Sequence, residues 1–131
     1  EEILNTFKDD ILNKNLSVGT EGNAKITGNR SLLERAFSNI LHNAIRYNRV
    51  NGAIDIVIEE SRVTITDTGQ GIKAENLDKI FEPFYCEDMS RSKELGGTGL
   101  GLYITKEILE RHDFDIEVES SSEGTSVTLI F

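Results

Sequence analysis

The sequence predicts an α/β two-layer sandwich: a mixed, mostly antiparallel sheet of about five strands with three helices on one face. Three observations carry this expectation. Apolar residues recur at helical spacing in three separated stretches, and four others alternate with period two. The third is size: 131 residues, 37% hydrophobic and 28% charged, suit a single globular domain over 1–131. At this length roughly 65–70% of the unfolded surface can be buried, enough for a core that needs no staples.

The elements follow in order. Residues 2–15 carry Ile3, Leu4, Phe7, Ile11 and Leu12, the stripe of a first helix. Residues 17–27 are short, polar and glycine-broken, and read as a small hairpin of edge strands. Asn29 or Ser31 then caps a second helix running to about Asn48, with Leu33, Ala36, Phe37, Ile40, Leu41 and Ala44 as its core stripe. Ile54, Ile56 and Ile58 alternate in a strand over 53–60, and Val63 and Ile65 in another over 62–67. Residues 69–98 form a long glycine-containing connection with room for one short helix near 75–80; a connection of this length is usually functional or disordered. Leu100 to His112 reads as a third helix, with Leu100, Ile104, Ile108 and Leu109 on one side. Two strands close the chain, one through Phe114, Ile116 and Val118, the other through Thr125, Val127, Leu129 and Phe131, joined by a turn at 121–124.

Charge and cysteine content narrow the function. Fourteen basic against 23 acidic residues give a net charge of −9, a poor match to general nucleic-acid binding. Cys86 is the one cysteine, which excludes an internal disulfide framework and a cysteine metal site. No apolar run approaches the roughly 20 residues of a membrane span. The chain starts on Glu1 and not Met, so it reads as a piece of a longer protein, whose topology stays open.

Several constellations could carry chemistry. Asn39, Asn43 and Arg46 fall within about 60° of one another on the second helix, at the edge of its apolar stripe. Two amides and a guanidinium there could face a polyanion and its Mg²⁺, which favours hard oxygen ligands, or could be a solvated flank. In Asp67-Thr68-Gly69-Gln70-Gly71-Ile72, period-two counting puts Asp67 on the face of Val63 and Ile65, aimed inward at the strand end. A carboxylate there needs a donor, and an adenine amino group would serve; a turn-forming Asp between glycines is the plain alternative. Gly96-Gly97-Thr98-Gly99-Leu100-Gly101-Leu102 enters a helix and could offer successive N–H groups to phosphate, or act as a hinge. It is not a P-loop, because Leu102 stands where Lys is required. It is not a dinucleotide fingerprint either, since Leu102 also stands where the third glycine would fall. Phe81-Glu82-Pro83-Phe84-Tyr85 would pin the long connection to the body, and Gly124-Thr125 alone is a hairpin turn.

Together and in this order, these segments resemble the ATP-binding catalytic domain of sensor histidine kinases, within the GHKL superfamily. Residues 39–47 (NILHNAIRY) resemble the N box, 67–72 (DTGQGI) the first glycine box, 81–85 (FEPFY) the F box, 96–102 (GGTGLGL) the second glycine box, and Gly124-Thr125 the last. The resemblance implies ATP and Mg²⁺ as cofactors. Asn43 would hold Mg²⁺, with Asn39 and Arg46 on phosphate, and Asn43 and Arg46 as the catalytic pair. Tyr47 would pack beside adenine and Asp67 would accept from its amino group, with Gly69, Gly71, Ile72 and Thr125 shaping that end. Gly97, Thr98, Gly99, Leu100 and Gly101 would line the phosphates, and 72–96 would be the ATP lid. Arg46 stands where many members have Lys, Asn48 where Ser or Thr is common, and Asp113 where Gly is frequent.

The family's phospho-accepting histidine lies in a separate helical segment, and neither His42 nor His112 has its surroundings. The resemblance therefore implies a catalytic domain that passes the γ-phosphate to a histidine on its parent's own dimerisation helices, and from there to a response regulator. Such parents are homodimeric and mostly membrane-anchored, with this domain in the cytoplasm. Gyrase- and chaperone-like ATPases of the superfamily carry Glu where Asn39 stands, and an amide cannot serve as general base toward water. Phosphoryl transfer to a protein thus fits better than hydrolysis. A non-catalytic nucleotide sensor and a soluble serine kinase of the anti-sigma-factor type are the other readings, the latter disfavoured by the F box and by Ser90-Arg91-Ser92.

Overall fold

A computed structural model of the chain describes residues 7–72, 77, 79–82 and 101–131. Eight elements are described: α1 (Lys8–Asn13), β1 (Ser17–Glu21), α2 (Arg30–Arg46), β2 (Ala53–Ile58), β3 (Arg62–Asp67), α3 (Gly101–Arg111), β4 (Asp115–Ser121) and β5 (Gly124–Ile130). The strands form one sheet in the order β1-β2-β3-β5-β4, antiparallel except for the β1–β2 pair. This is the mixed five-stranded sheet with three helices that the sequence predicts.

One element differs. The hairpin expected over 17–27 is a single strand, β1, and it runs parallel to β2. Parallel neighbours need a crossover, and α2 supplies it. The chain beyond Glu21 leaves the sheet, so that Ile26 packs with Leu33, Ala36 and Ile108 between α2 and α3. The short helix expected near 75–80 falls mostly outside the described residues, and within it 79–80 are a turn. The helix expected over 2–15 is shorter: it runs over Lys8–Asn13 with Phe7 as its N-cap, and residues 1–6 lie outside the described residues.

Alternation sorts the sheet into two faces, and pairing register turns the inner face into rows. One row reads Thr20, Ile56, Ile65, Val127, Val118, and the next Ile58, Val63, Leu129, Ile116. Onto these apolar rows α2 lays Ile40, Leu41, Ala44 and Ile45, and α3 lays Leu109; Ile40, Ile54, Leu109 and Leu129 are fully buried. The opposite face is mostly polar, carboxylic toward its edges and hydroxylic at its β3–β5 centre, where Thr66 is bonded to Ser126 at 3.0 Å. The remaining inner row is mixed: Val18 and Ile54 continue into Asp67, Thr125 and Ser120. The core face thus ends in a polar corner, and Asp67 lies in it as period-two counting predicts.

Helix α2 starts on Asn29, one of the two expected caps, whose side chain accepts from the Leu32 N–H at 3.1 Å. Such a cap contributes about 1 kcal/mol. His112, at the end of α3, fastens the same corner: its Nε2 accepts from the Asn29 N–H at 3.0 Å. Asp113 follows at φ +59°, the left-handed turn that a glycine adopts more easily.

Candidate functional site

The polar corner is held by its own hydrogen bonds. Asp67 Oδ1 accepts from the Gly69 N–H at 2.9 Å and the Thr125 N–H at 3.3 Å. Its second oxygen makes no hydrogen bond to a described residue. Burial raises the Asp67 carboxyl above its ordinary value, and the two N–H groups pull the other way without cancelling the shift. Ser120 Oγ bonds Thr125 Oγ1 at 2.8 Å and accepts from the Ile72 N–H at 2.6 Å, so the segment after β3 is tied to the β4–β5 hairpin. The glycines of 67–72 are demanded by this packing. Gly71 has φ +78°, and a Cβ on it would lie 1.8 Å from the Ser121 carbonyl; one on Gly69 would lie 2.4 Å from the Tyr47 carbonyl. Their first function is to let backbone approach backbone.

The last turns of α2 bring the second group of residues to the same corner. The Gln70 N–H reaches the Tyr47 carbonyl at 3.4 Å, joining the two segments. Arg46 lies over the Tyr47 ring at 5.5 Å. Asn43 is half-buried, and its amide makes no hydrogen bond to a described residue. Asn39 donates from Nδ2 to the Gly101 carbonyl at 3.2 Å, which Thr105 Oγ1 also reaches at 2.8 Å. Asn39 therefore joins α2 to the first turn of α3. His42, beside Asn43, stacks on Phe7 of the N-terminal segment at 5.8 Å. Burial lowers its pKa, Arg46 lowers it further, and Asp10 opposes both.

Of the expected site residues, Asn39, Asn43, Arg46, Tyr47, Asp67, Gly69, Gly71, Ile72, Gly101 and Thr125 are described, at the end of α2, the end of β3, the start of β5 and the start of α3. Gly97, Thr98, Gly99 and Leu100 lie outside the described residues, as do most of the expected lid and Pro83-Phe84-Tyr85. Phe81 is described, with the Lys106 ammonium 5.3 Å from its ring centre, and Ile80 beside it is buried. An apolar groove of about 260 Å³, lined by residues including Thr20, Ile26, Phe37, Leu41, Ile58 and Phe131, lies between the sheet and α2 at the other end of the inner face. It lacks the polar groups of the corner.

Four supporting residues have no role assigned from the sequence: Lys14, Asn48, Thr68 and Ser120. Asn48 is buried; its Oδ1 accepts from the Arg49 N–H at 2.8 Å and the Thr68 hydroxyl at 3.0 Å, while Nδ2 donates to the Ala53 carbonyl at 3.0 Å. Thr68 Oγ1 in turn accepts from the Ala53 N–H at 2.8 Å. One amide thus joins the end of α2, the start of β2 and the loop after Asp67. Its place where Ser or Thr is common was the available signal.

A model of the family described as "Histidine kinase-, DNA gyrase B-, and HSP90-like ATPase" matches residues 28–131. The sensor histidine kinase CpxA of Escherichia coli K12 is 36% identical over 121 residues, covering 90% of this chain and 26% of the relative. The sensor protein kinase WalK of Staphylococcus aureus is 36% identical over 102 residues, covering 72% of this chain and 25% of the relative. The chain therefore spans about a quarter of these relatives' length. Among solved structures, the catalytic domain of histidine kinase ThkA superposes with a TM-score of 0.80 at 26% identity, covering 98% of this chain and 86% of that one. The polar corner at the end of the core face, the last turns of α2 beside it and these matches lead to one conclusion: the chain belongs to the histidine kinase-, DNA gyrase B- and HSP90-like ATPase family, and its relatives named here are sensor histidine kinases.

Proposed function

We propose that this domain binds Mg·ATP at the corner and transfers the γ-phosphate to a histidine on the dimerisation helices of its parent protein, for relay to a response regulator. The observation that carries this reading is Asp67. One of its oxygens is spent on the Gly69 and Thr125 N–H groups, which fixes the carboxylate's orientation and leaves Oδ2 to accept from a ligand. An adenine amino group is a matching donor. Tyr47 stands beside that oxygen's loop, and Asn43 and Arg46 follow on the same helix toward α3, the order in which base and phosphates would lie.

The residues fit the metal as well. Asn43's amide, half-buried and without a described bond, offers a hard oxygen at the place where phosphates would pass. Mg²⁺ bound there would neutralise phosphate charge as transfer proceeds. Arg46 would hold phosphate oxygens, its planar guanidinium offering paired donors. Asn39 supports transfer over hydrolysis: its amide is committed to the Gly101 carbonyl and cannot take a proton from water.

The test supplies the acceptor helices of a sensor kinase as a separate polypeptide and measures phosphohistidine formed from ATP. The wild-type domain is expected to phosphorylate them, and Asn43→Ala to fail while keeping its circular dichroism spectrum. Transfer by Asn43→Ala at the wild-type rate would remove Asn43 from the metal site. ATP hydrolysis with no phosphohistidine in any acceptor would favour an ATPase.

A further inference from the structure

Lys14 sits in the bend between α1 and β1, far in sequence from every motif above. Its ammonium donates to three backbone carbonyls: Ile45 at 2.9 Å, Arg46 at 2.6 Å and Asn48 at 3.2 Å. The first two belong to the end of α2 and the third to the turn just beyond it, where carbonyls lose their helical partners and the helix carries partial negative charge. A lysine from another segment supplies both the donors and the countercharge. The turn it holds carries Asn43, Arg46 and Tyr47.

The bend that presents Lys14 is itself fixed. Its carbonyl accepts from the Asn51 N–H at 2.8 Å, and the Asn15 amide donates to Asn51 Oδ1 at 2.7 Å. The Ser17 N–H reaches the Gly52 carbonyl at 3.0 Å. Asn15 and Asn51 both adopt left-handed backbone, φ +52° and +65°, so two tight turns are clasped face to face. From the same N-terminal segment, Phe7 stacks on His42 one residue before Asn43. The N-terminal segment therefore grips the end of α2 at two points.

We propose that Lys14 is a positioning residue for the phosphate end of the site: by tying the last turn of α2 to the N-terminal segment, it sets the placement of Asn43 and Arg46. The consequence is regulatory. A displacement of α1 that withdraws the ammonium loosens the turn that faces phosphate and metal, while the Asp67–Thr125–Ser120 bonds, which lie on other elements, stay made. This inference rests on the reading of the corner as a Mg·ATP site.

The test compares Lys14→Met with a variant of equal thermal destabilisation away from the corner, Val63→Ala, by calorimetric titration with Mg·ATP at a temperature where both are folded. If the competent turn falls to about one-tenth of the population, apparent affinity falls about tenfold. Lys14→Met is expected to bind roughly five- to thirty-fold more weakly than wild type, Val63→Ala to bind as wild type, and Lys14→Arg to recover most of the loss. Should Lys14→Met not fold, Lys14→Gln, which keeps part of the donor set, stands in the same comparison. Lys14 and Val63 variants binding alike would reduce Lys14 to general stability and overturn the proposal. Wild type failing to bind Mg·ATP would instead overturn the reading of the site, and this inference with it.

Discussion

The two ends of the corner are built differently. The Asp67 end is closed by bonds among its own parts: carboxylate to two N–H groups, Thr125 to Ser120, Ser120 to the Ile72 N–H, and glycines pressed on backbone. The Asn43 end, among the described residues, is held by contacts from several other segments: by Lys14 on the carbonyls of the last turn, by Asn39 on Gly101, and by Asn48 and the Gln70 N–H at the turn that follows. A rigid end suits recognition of a flat base, whose shape does not change during reaction. An end held by a removable clasp suits phosphates and a metal, whose positions must change as a phosphoryl group leaves.

Substitutions at the two ends should therefore fail in different ways. The largest effect is expected from Asn43→Ala at the clasped end. If Asn43 holds Mg²⁺ as proposed, its loss should cut phosphotransfer by about 100-fold or more, with little change in thermal midpoint, because Asn43 is half-buried and outside the apolar stripe. Radiolabel transfer and a melting curve on the same preparation check it. Unfolding in step with lost activity would erase the contrast between the ends.

Ser120→Ala should fail the other way. It strips the Ile72 N–H of its acceptor and Thr125 of its partner, so stability should fall by about 1–3 kcal/mol in urea denaturation. Transfer by the folded fraction should change far less than in Asn43→Ala. A stable Ser120→Ala protein with abolished transfer would show that the Asp67 end is not the rigid one.

The third expectation concerns pH and is the smallest. His42 has a lowered pKa, so the unfolded chain binds its proton more readily than the folded one. Stability is then complete above the ordinary histidine value and falls as pH drops below it toward the lowered one. His42→Gln should flatten that slope in denaturation curves across the mildly acidic range. An unchanged slope would mean that the Phe7–His42 contact carries no such linkage.

What could be read from the sequence follows the reach of periodicity. Period two gave Asp67 its face, and 100° per residue put Asn39, Asn43 and Arg46 together, because both counts stay within one element. The direction of β1 was not legible, since alternation looks the same in parallel and antiparallel pairs. Lys14 was not legible because its acceptors are carbonyls 31 to 34 residues away, which leave no trace in side-chain identity. Ser120 hid in a strand where alternation requires only some inward residue, and nothing marked it as the one opposite Thr125. The glycines after Asp67 signal close approach, but the partner they approach within the protein is its own backbone.

The most direct test of the account is whether Asp67 reads adenine. Calorimetric titration of the wild-type domain with ATP and with GTP, both with Mg²⁺, should favour ATP by roughly five- to 150-fold, the worth of one matched buried hydrogen bond of about 1–3 kcal/mol. Because burial raises the Asp67 pKa, its ionised form costs the fold stability that is present at low pH and lost as pH rises through the raised value. Asp67→Asn should therefore melt no lower than wild type without nucleotide, yet lose the preference for ATP. Equal binding of ATP and GTP by the wild-type protein, or a full ATP preference surviving in Asp67→Asn, would contradict the account.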